Sequence, residues 1–312
     1  MPRSSNMDRA VKQFSRATGL QYRNCTNWEK EGKISPFQPV PDASSPSQKS
    51  FEAFVVHVIA EALRDKQIDS AILGIKKVEP RPEGPIFHLH PEMADTIVSE
   101  LLPVFDSDYG GVRGVPGLRP RRYHNGRLAL ADASSGSTVF LQRNHKNGRD
   151  ETWRPSILYG APGTKQIWLD QNQLTLSERH ELHYWRSDLE PSASHLRDLL
   201  LSRVLRRPKI VDRAGASHGW ANTFTHSYFD LVIESCCGDD PRDISSDFIE
   251  SGLLSGIEEI DEKNIASSIH SVNMGFGSAN ICVRRLSPGP CRITPERIKG
   301  PFEEIRKGRD IR

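Results

Sequence analysis

The run from Tyr228 to Ser235 places two acids, Asp230 and Glu234, among apolar residues. In a β-strand, positions four apart share a face. Two carboxylates on one face could hold a divalent metal such as magnesium for phosphodiester cleavage. Restriction-type nucleases add a lysine two residues beyond the second acid, and Cys236 stands there instead. Plain edge-strand carboxylates are the other reading. His88 and His90 sit on one face of an extended segment and form a usable pair of zinc ligands, with His57, Glu92 or Asp95 as guesses for a third. His180 and His183 are three apart on a predicted helix, not the four that lets both rings reach one metal. Gly160-Ala-Pro-Gly-Thr-Lys-Gln166 lacks the register of a phosphate-binding loop and reads as a turn. The five cysteines show no Cys-x-x-Cys spacing, so Cys236, Cys237, Cys282 and Cys291 read as small hydrophobes.

The segment 10–36 carries a binding pattern rather than a catalytic one. Val11 and Phe14 supply an apolar face to a first helix. Thr18-Gly19-Leu20 supplies a tight turn, with Gly19 free to take a positive φ. A second helix is expected from about 21 to 31, with Cys25 and Trp28 inward, Gly32 ending it and Ile34 closing the small core. Tyr22, Arg23, Asn24 and Asn27 then point outward. Arginine bonds guanine edges and asparagine adenine edges, while Tyr and Thr bond phosphates. Lys12, Arg16, Lys30 and Lys33 would lie near phosphates.

This stretch resembles the N-terminal half of the DNA-binding domain of the MerR family. The resemblance rests on Phe14, Thr18-Gly19-Leu20, Trp28-Glu29, Gly32-Lys33-Ile34 and Ser35-Pro36, about 27 residues in all. It implies major-groove binding by Tyr22, Arg23 and their neighbours. Two features of that family are missing. A Pro/Ser segment replaces the Arg-rich wing, and nothing after residue 50 sustains the apolar heptads of a dimerising coiled coil. The family's dimer and effector logic therefore do not carry over. A helical hairpin packed on the main domain, or one that binds a protein partner, is the alternative.

Around these residues the chain organises itself by periodicity and punctuation. Pro36–Ser50 holds four prolines and four serines and reads as an exposed linker. Phe51–Lys66 and Pro91–Val104 have apolar residues at helical spacing. Ala71–Val78 reads as a strand. Asn125-Gly126 between Arg121-Arg-Tyr and Leu128-Ala-Leu signals a hairpin. Thr138–Leu141, Ser156–Tyr159, Gln166–Leu169, Tyr228–Ser235 and Ala279–Val283 are further strand candidates. Helices are expected at about 175–187, 193–207 and 295–307. The second of these places Leu196, Leu199, Leu200, Val204 and Leu205 inward and Arg197, Arg203, Arg206 and Arg207 outward.

The 312 residues carry 42 basic and 40 acidic side chains, a net charge of +2. That excludes a histone-like polyelectrolyte. The balance hides local blocks: residues 51–110 hold 5 basic and 11 acidic side chains, and residues 111–150 hold 8 and 2. The basic block is either a candidate for a phosphate backbone or one side of a salt-bridged surface. No run of 18 apolar residues exists, so no membrane helix is expected. The N-terminus lacks the apolar core of a secretory signal, and the sparse, odd cysteine count fits a reduced, cytoplasmic setting.

Together these features predict an α+β fold. A helix-turn-helix-like module (1–36) is followed by a linker (37–50) and a larger α+β domain (51–312), with a sub-boundary near 106–111. The function expected is sequence-dependent binding of double-stranded DNA, as in a regulator, with no cofactor and with homodimerisation left open. The alternative is a magnesium-dependent nuclease of a mobile element or defence system, with Asp230 and Glu234 at its centre.

Overall fold

The computed structural model describes residues 5–64, 71–107, 110–124, 127–143, 165–169, 173–187, 191–215, 221–227, 230–235, 238–257, 265–267, 271–276 and 279–285. The fold is α+β. Helices α1 (Ser5–Thr18) and α2 (Tyr22–Lys30) form an N-terminal hairpin. α3 (Pro46–Leu63) follows. Strands β1 (Ile75–Glu79) and β2 (Ile86–Leu89), α4 (Ala94–Leu101), and strands β3 (Val104–Asp106), β4 (Gly111–Arg113), β5 (Leu118–His124), β6 (Arg127–Asp132), β7 (Thr138–Arg143) and β8 (Lys165–Gln166) come next. Then come α5 (Leu176–Ser187), α6 (Pro191–Leu205), α7 (Pro208–Val211) and a 3-10 turn over Asp212–Gly215. Strands β9 (Ala221–Ser227) and β10 (Asp230–Ser235), α8 (Pro241–Glu250), and β11 (Ile265–Ser267), β12 (Ser271–Phe276) and β13 (Ala279–Arg285) complete the described chain.

Two five-stranded sheets carry the body, in the orders β1-β2-β7-β6-β5 and β11-β12-β13-β10-β9. Each is antiparallel except for one central parallel pair, β2 with β7 and β10 with β13. A third, small sheet has the order β4-β3-β8. α3 packs on α6 and α4 and touches β7 of the first sheet and β9 of the second, so it lies between them. One apolar cluster runs from Val11, Phe14 and Ile34 of the hairpin through Val55, Val56 and Ile59 of α3 to Leu231 and Val283 of the second sheet. No described helix is long and apolar enough to cross a membrane.

The proline-rich stretch differs from the expected exposed linker. Pro46 opens α3, because Ser45 caps the helix by accepting the Gln48 amide at 3.1 Å and proline suits the first helical position. Val40 and Ala43 are buried, and Asp42 pairs with Arg203. The four α6-region arginines also reverse their expected direction. Arg197, Arg203, Arg206 and Arg207 are all buried. Each finds acceptors: the adjacent Asp198 and the Trp185 carbonyl for Arg197, Asp42 for Arg203, Glu52 for Arg206, and Ser251 for Arg207. The arginines tie α3, α6 and the 36–50 strap together, because a buried guanidinium needs a partner for each donor. Burial among its fellow arginines pushes Arg207 down to about 9.

Other expectations hold with shifted ends. The helix expected at 51–66 starts five residues earlier, and the strand expected at 71–78 is β1. β5 and β6 pair antiparallel as the Asn125-Gly126 signal implies, though those two residues lie outside the described ones. The 106–111 break connects the antiparallel strands β3 and β4. Of the strand expected at 166–169 only Gln166 is strand, as the second residue of β8. Ser156–Tyr159, Gly160–Thr164, Cys236, Cys237, Cys291 and the helix expected at 295–307 lie outside the described residues.

Candidate functional site

The hairpin is built from a short stripe. Ala10, Val11, Phe14 and Ala17 of α1 are buried, at spacings that share one helical face. Asp8 in the first turn and Arg16 in the last complement the helix dipole. At the corner, Thr18 donates its hydroxyl to the Phe14 carbonyl at 2.7 Å, and Ser15 donates to the Leu20 carbonyl at 2.7 Å. Gly19 takes φ 76°, which an L side chain adopts only with strain. Leu20 is buried beneath the turn.

α2 buries Cys25 and ends in a reciprocal cap. The amide of Lys33 donates to the Trp28 carbonyl and that of Gly32 to the Glu29 carbonyl, both at 2.9 Å, with Gly32 at φ 70°. This is the left-handed C-terminal cap that glycine favours. Trp28 is half-buried rather than fully enclosed. Its ring centroid lies 5.4 Å from that of Phe14, and the Lys33 ammonium sits over the ring, 5.3 Å from its centroid.

The opposite face of α2 is open. Arg23, Asn24, Asn27 and Lys30 are exposed, with Arg23, Asn27 and Lys30 at i, i+4 and i+7. Tyr22, 40% exposed, donates its hydroxyl to Asp8 at 2.6 Å, and Lys12 pairs with the other Asp8 oxygen at 2.8 Å. That bond and charge raise the Lys12 ammonium above its ordinary value. Lys33 pairs with Glu31 at 2.6 Å. Arg16 turns to Asp247 of α8 at 3.1 Å. The Lys12–Asp8 and Lys33–Glu31 pairs are exposed, so solvent and salt screen them.

The structure thus brings Tyr22, Arg23, Asn24, Asn27 and Lys30 together, with Lys12 beside them. Arg16 lies instead along the α1–α8 seam, where Arg9 also meets Glu250 at 3.3 Å. Sequence reasoning missed this seam and the two lysines that flank the turn, Lys76 and Lys209. A Cβ on Gly19 would stand 2.8 Å from the Lys76 carbonyl oxygen and 2.8 Å from Lys209 Cγ. No local pattern announces a contact between residues so far apart in sequence.

Of the metal candidates, Glu234 and His88 have other partners. Glu234 is fully buried on β10, and Arg284, its register neighbour on β13, binds it through Nε at 2.7 Å and Nη2 at 2.5 Å. A guanidinium takes the carboxylate where a cation was expected. Asp230 opens β10 opposite Asn280, and its side chain lies outside the described residues. His88 is buried with Nε2 3.1 Å from Glu79 Oε1. His90 lies past the end of β2, its amide donating to the Gly74 carbonyl at 2.8 Å. His180 stacks edge-on against Tyr184 at 4.6 Å. Among the described residues, no group of three or more His, Cys, Asp or Glu is placed to hold a metal.

The Glu79–His88 pair has a measurable consequence. The bond with His88, then Arg81, holds the Glu79 carboxyl down to about 2 from an ordinary 4.5, against the opposing effect of burial. A folded value below the unfolded one gives stabilisation that is complete above pH 4.5 and lost as pH falls through 2. Glu79→Gln is expected to lower stability at pH 7 and to flatten its decline on acidification. Thermal melts at stepped pH check this. An unchanged acid limb in the variant would show that Glu79 gains nothing from its partners.

No protein-family model, curated protein or solved structure matches this chain.

Proposed function

We propose that the protein binds double-stranded DNA, with α2 as the recognition helix, and serves as a regulator. The observation that carries this is the division of α2 into two faces. One buries Cys25 and leans Trp28 on Phe14. The other presents Arg23, Asn24, Asn27 and Lys30 to solvent within a turn or two of one another. These side-chain types read base edges and phosphates, and an α-helix fits the major groove. The turn is closed by hydrogen bonds and locked by Gly19, so the helix is held ready rather than ordered on binding.

The test is a salt titration of duplex binding for wild type, Arg23→Ala and Lys30→Ala. Arg23→Ala is expected to lose about 1–3 kcal/mol on the preferred site and to relax base preference there. Lys30→Ala is expected to weaken all sequences alike and to lower the salt slope by about one unit. Binding needs no magnesium. Wild-type affinity weaker than about 10⁻⁴ M at low salt, below ordinary non-specific binding, would end this reading. Magnesium-dependent nicking of plasmid DNA that Asp230→Ala abolishes would replace it with the nuclease.

A further inference from the structure

The turn of the hairpin does not stand free of the body. Gly19 abuts the Lys76 carbonyl on β1 and the Lys209 stem on α7, so only a residue without a side chain fits there. The turn that precedes α2 is thereby seated on the body. β1 is the edge strand of the first sheet, and its pairing with β2 breaks at one position. Ile75 opposes Leu89 and Lys77 opposes His88, which leaves Lys76 as the extra residue of a β-bulge. A bulge re-aims the side chain it carries. Lys76 is exposed between buried Ile75 and half-buried Lys77.

The two lysines at the turn differ. Lys209 is committed to Asp212, with Nζ 2.5 Å from a carboxylate that is itself buried and accepts the Ile72 amide at 2.9 Å. Lys76 forms no ion pair among the described residues. An exposed cation with no ion pair among the described residues is thus carried on a bulge whose backbone meets Gly19, three residues before α2 starts at Tyr22. The N-terminal residues of a recognition helix are the ones that contact base edges, so the flanking sugar–phosphate backbone passes beside the turn before it.

We propose that Lys76 extends the DNA interface onto the body by contacting a backbone phosphate next to the N-terminal end of α2. The inference rests on α2 being the recognition helix. It makes the body part of the binding surface and fixes the register of the duplex on the protein, since phosphate contacts position while base contacts specify.

The test uses the full chain in salt titrations of duplex binding, with Lys76→Gln and Lys76→Arg beside wild type. Lys76→Gln is expected to lower the slope of log affinity against log salt by about one unit, equally for all sequences, with Lys76→Arg restoring it. The melting temperature should stay at the wild-type value, as the side chain is exposed. A wild type that binds duplex while Lys76→Gln keeps the full slope would overturn this inference and leave the hairpin reading intact. A wild type that does not bind duplex would overturn both.

Discussion

Glu52→Gln is expected to lower the unfolding free energy by about 3–5 kcal/mol, the range for breaking a buried ion pair by removing one partner. Glu52 of α3 and Arg206 beyond α6 are both fully buried. They meet through two bonds, Nε to Oε2 at 2.7 Å and Nη2 to Oε1 at 2.6 Å. The Ser202 hydroxyl donates to Oε2 at 2.7 Å and the Gln48 amide to Oε1 at 2.9 Å. Arg206 spends its other donors on the carbonyls of Pro41, Pro80 and Arg81. One cluster therefore ties α3, α6, the 36–50 strap and the β1–β2 connection. The glutamine keeps the shape but leaves the guanidinium charge buried without a counter-charge, and one of its own NH₂ donors faces other donors. Denaturant titration measures the loss. A change below about 1 kcal/mol would mean that the pair is wet and the strap loosely held. Adding Arg206→Met should recover part of the loss, because an apolar replacement of both partners removes the stranded charge.

Phe14→Ala is expected to release the hairpin, at about 3–5 kcal/mol for truncating a fully enclosed aromatic. Phe14 touches Trp28 on one side and belongs to the cluster that continues into the body through α7, β1 and α8. Its loss frees both helices together, because α2 has its main packing on α1. Hydrogen exchange should accelerate over residues 5–34 while the two sheets stay protected, and duplex affinity should fall with the population of the docked hairpin. Arg23→Ala forms the contrast: affinity falls and exchange does not change. Wild-type exchange and wild-type affinity in Phe14→Ala would show that the hairpin is held by other contacts and that Phe14 is a passive filler.

Much of the hairpin was legible because its signals are local. A glycine after Thr18, apolar residues three and four apart, and Gly32 before Ile34 specify two short helices and their ends within 30 residues. The amphipathic split of α2 follows from the same periodicity, so Arg23, Asn24 and Asn27 were placed outward from the chain alone. The α+β class was legible for a similar reason, since helical and strand-like runs alternate irregularly.

What stayed hidden depends on residues far apart. Arg197, Arg203, Arg206 and Arg207 carry charges that a sequence reading sends to water. Only the fold supplies Glu52, Asp42, Ser251 and the Trp185 carbonyl at bonding distance, and desolvating a guanidinium is tolerable only when such partners are in place. Ser45 and Pro46 read as linker until the start of α3 is seen, because serine, proline and the first turn of a helix share one composition. Glu234 suggested a metal ligand because its strand face was visible and Arg284, fifty residues on, was not. The sequence by itself determined the local helices, their caps and the outward face of α2, since hydrogen bonds and turns over a few residues decide these. Tertiary structure alone decided which charges are buried, where the strap runs and that a bulged Lys76 stands beside the turn, because each depends on what the rest of the chain brings alongside.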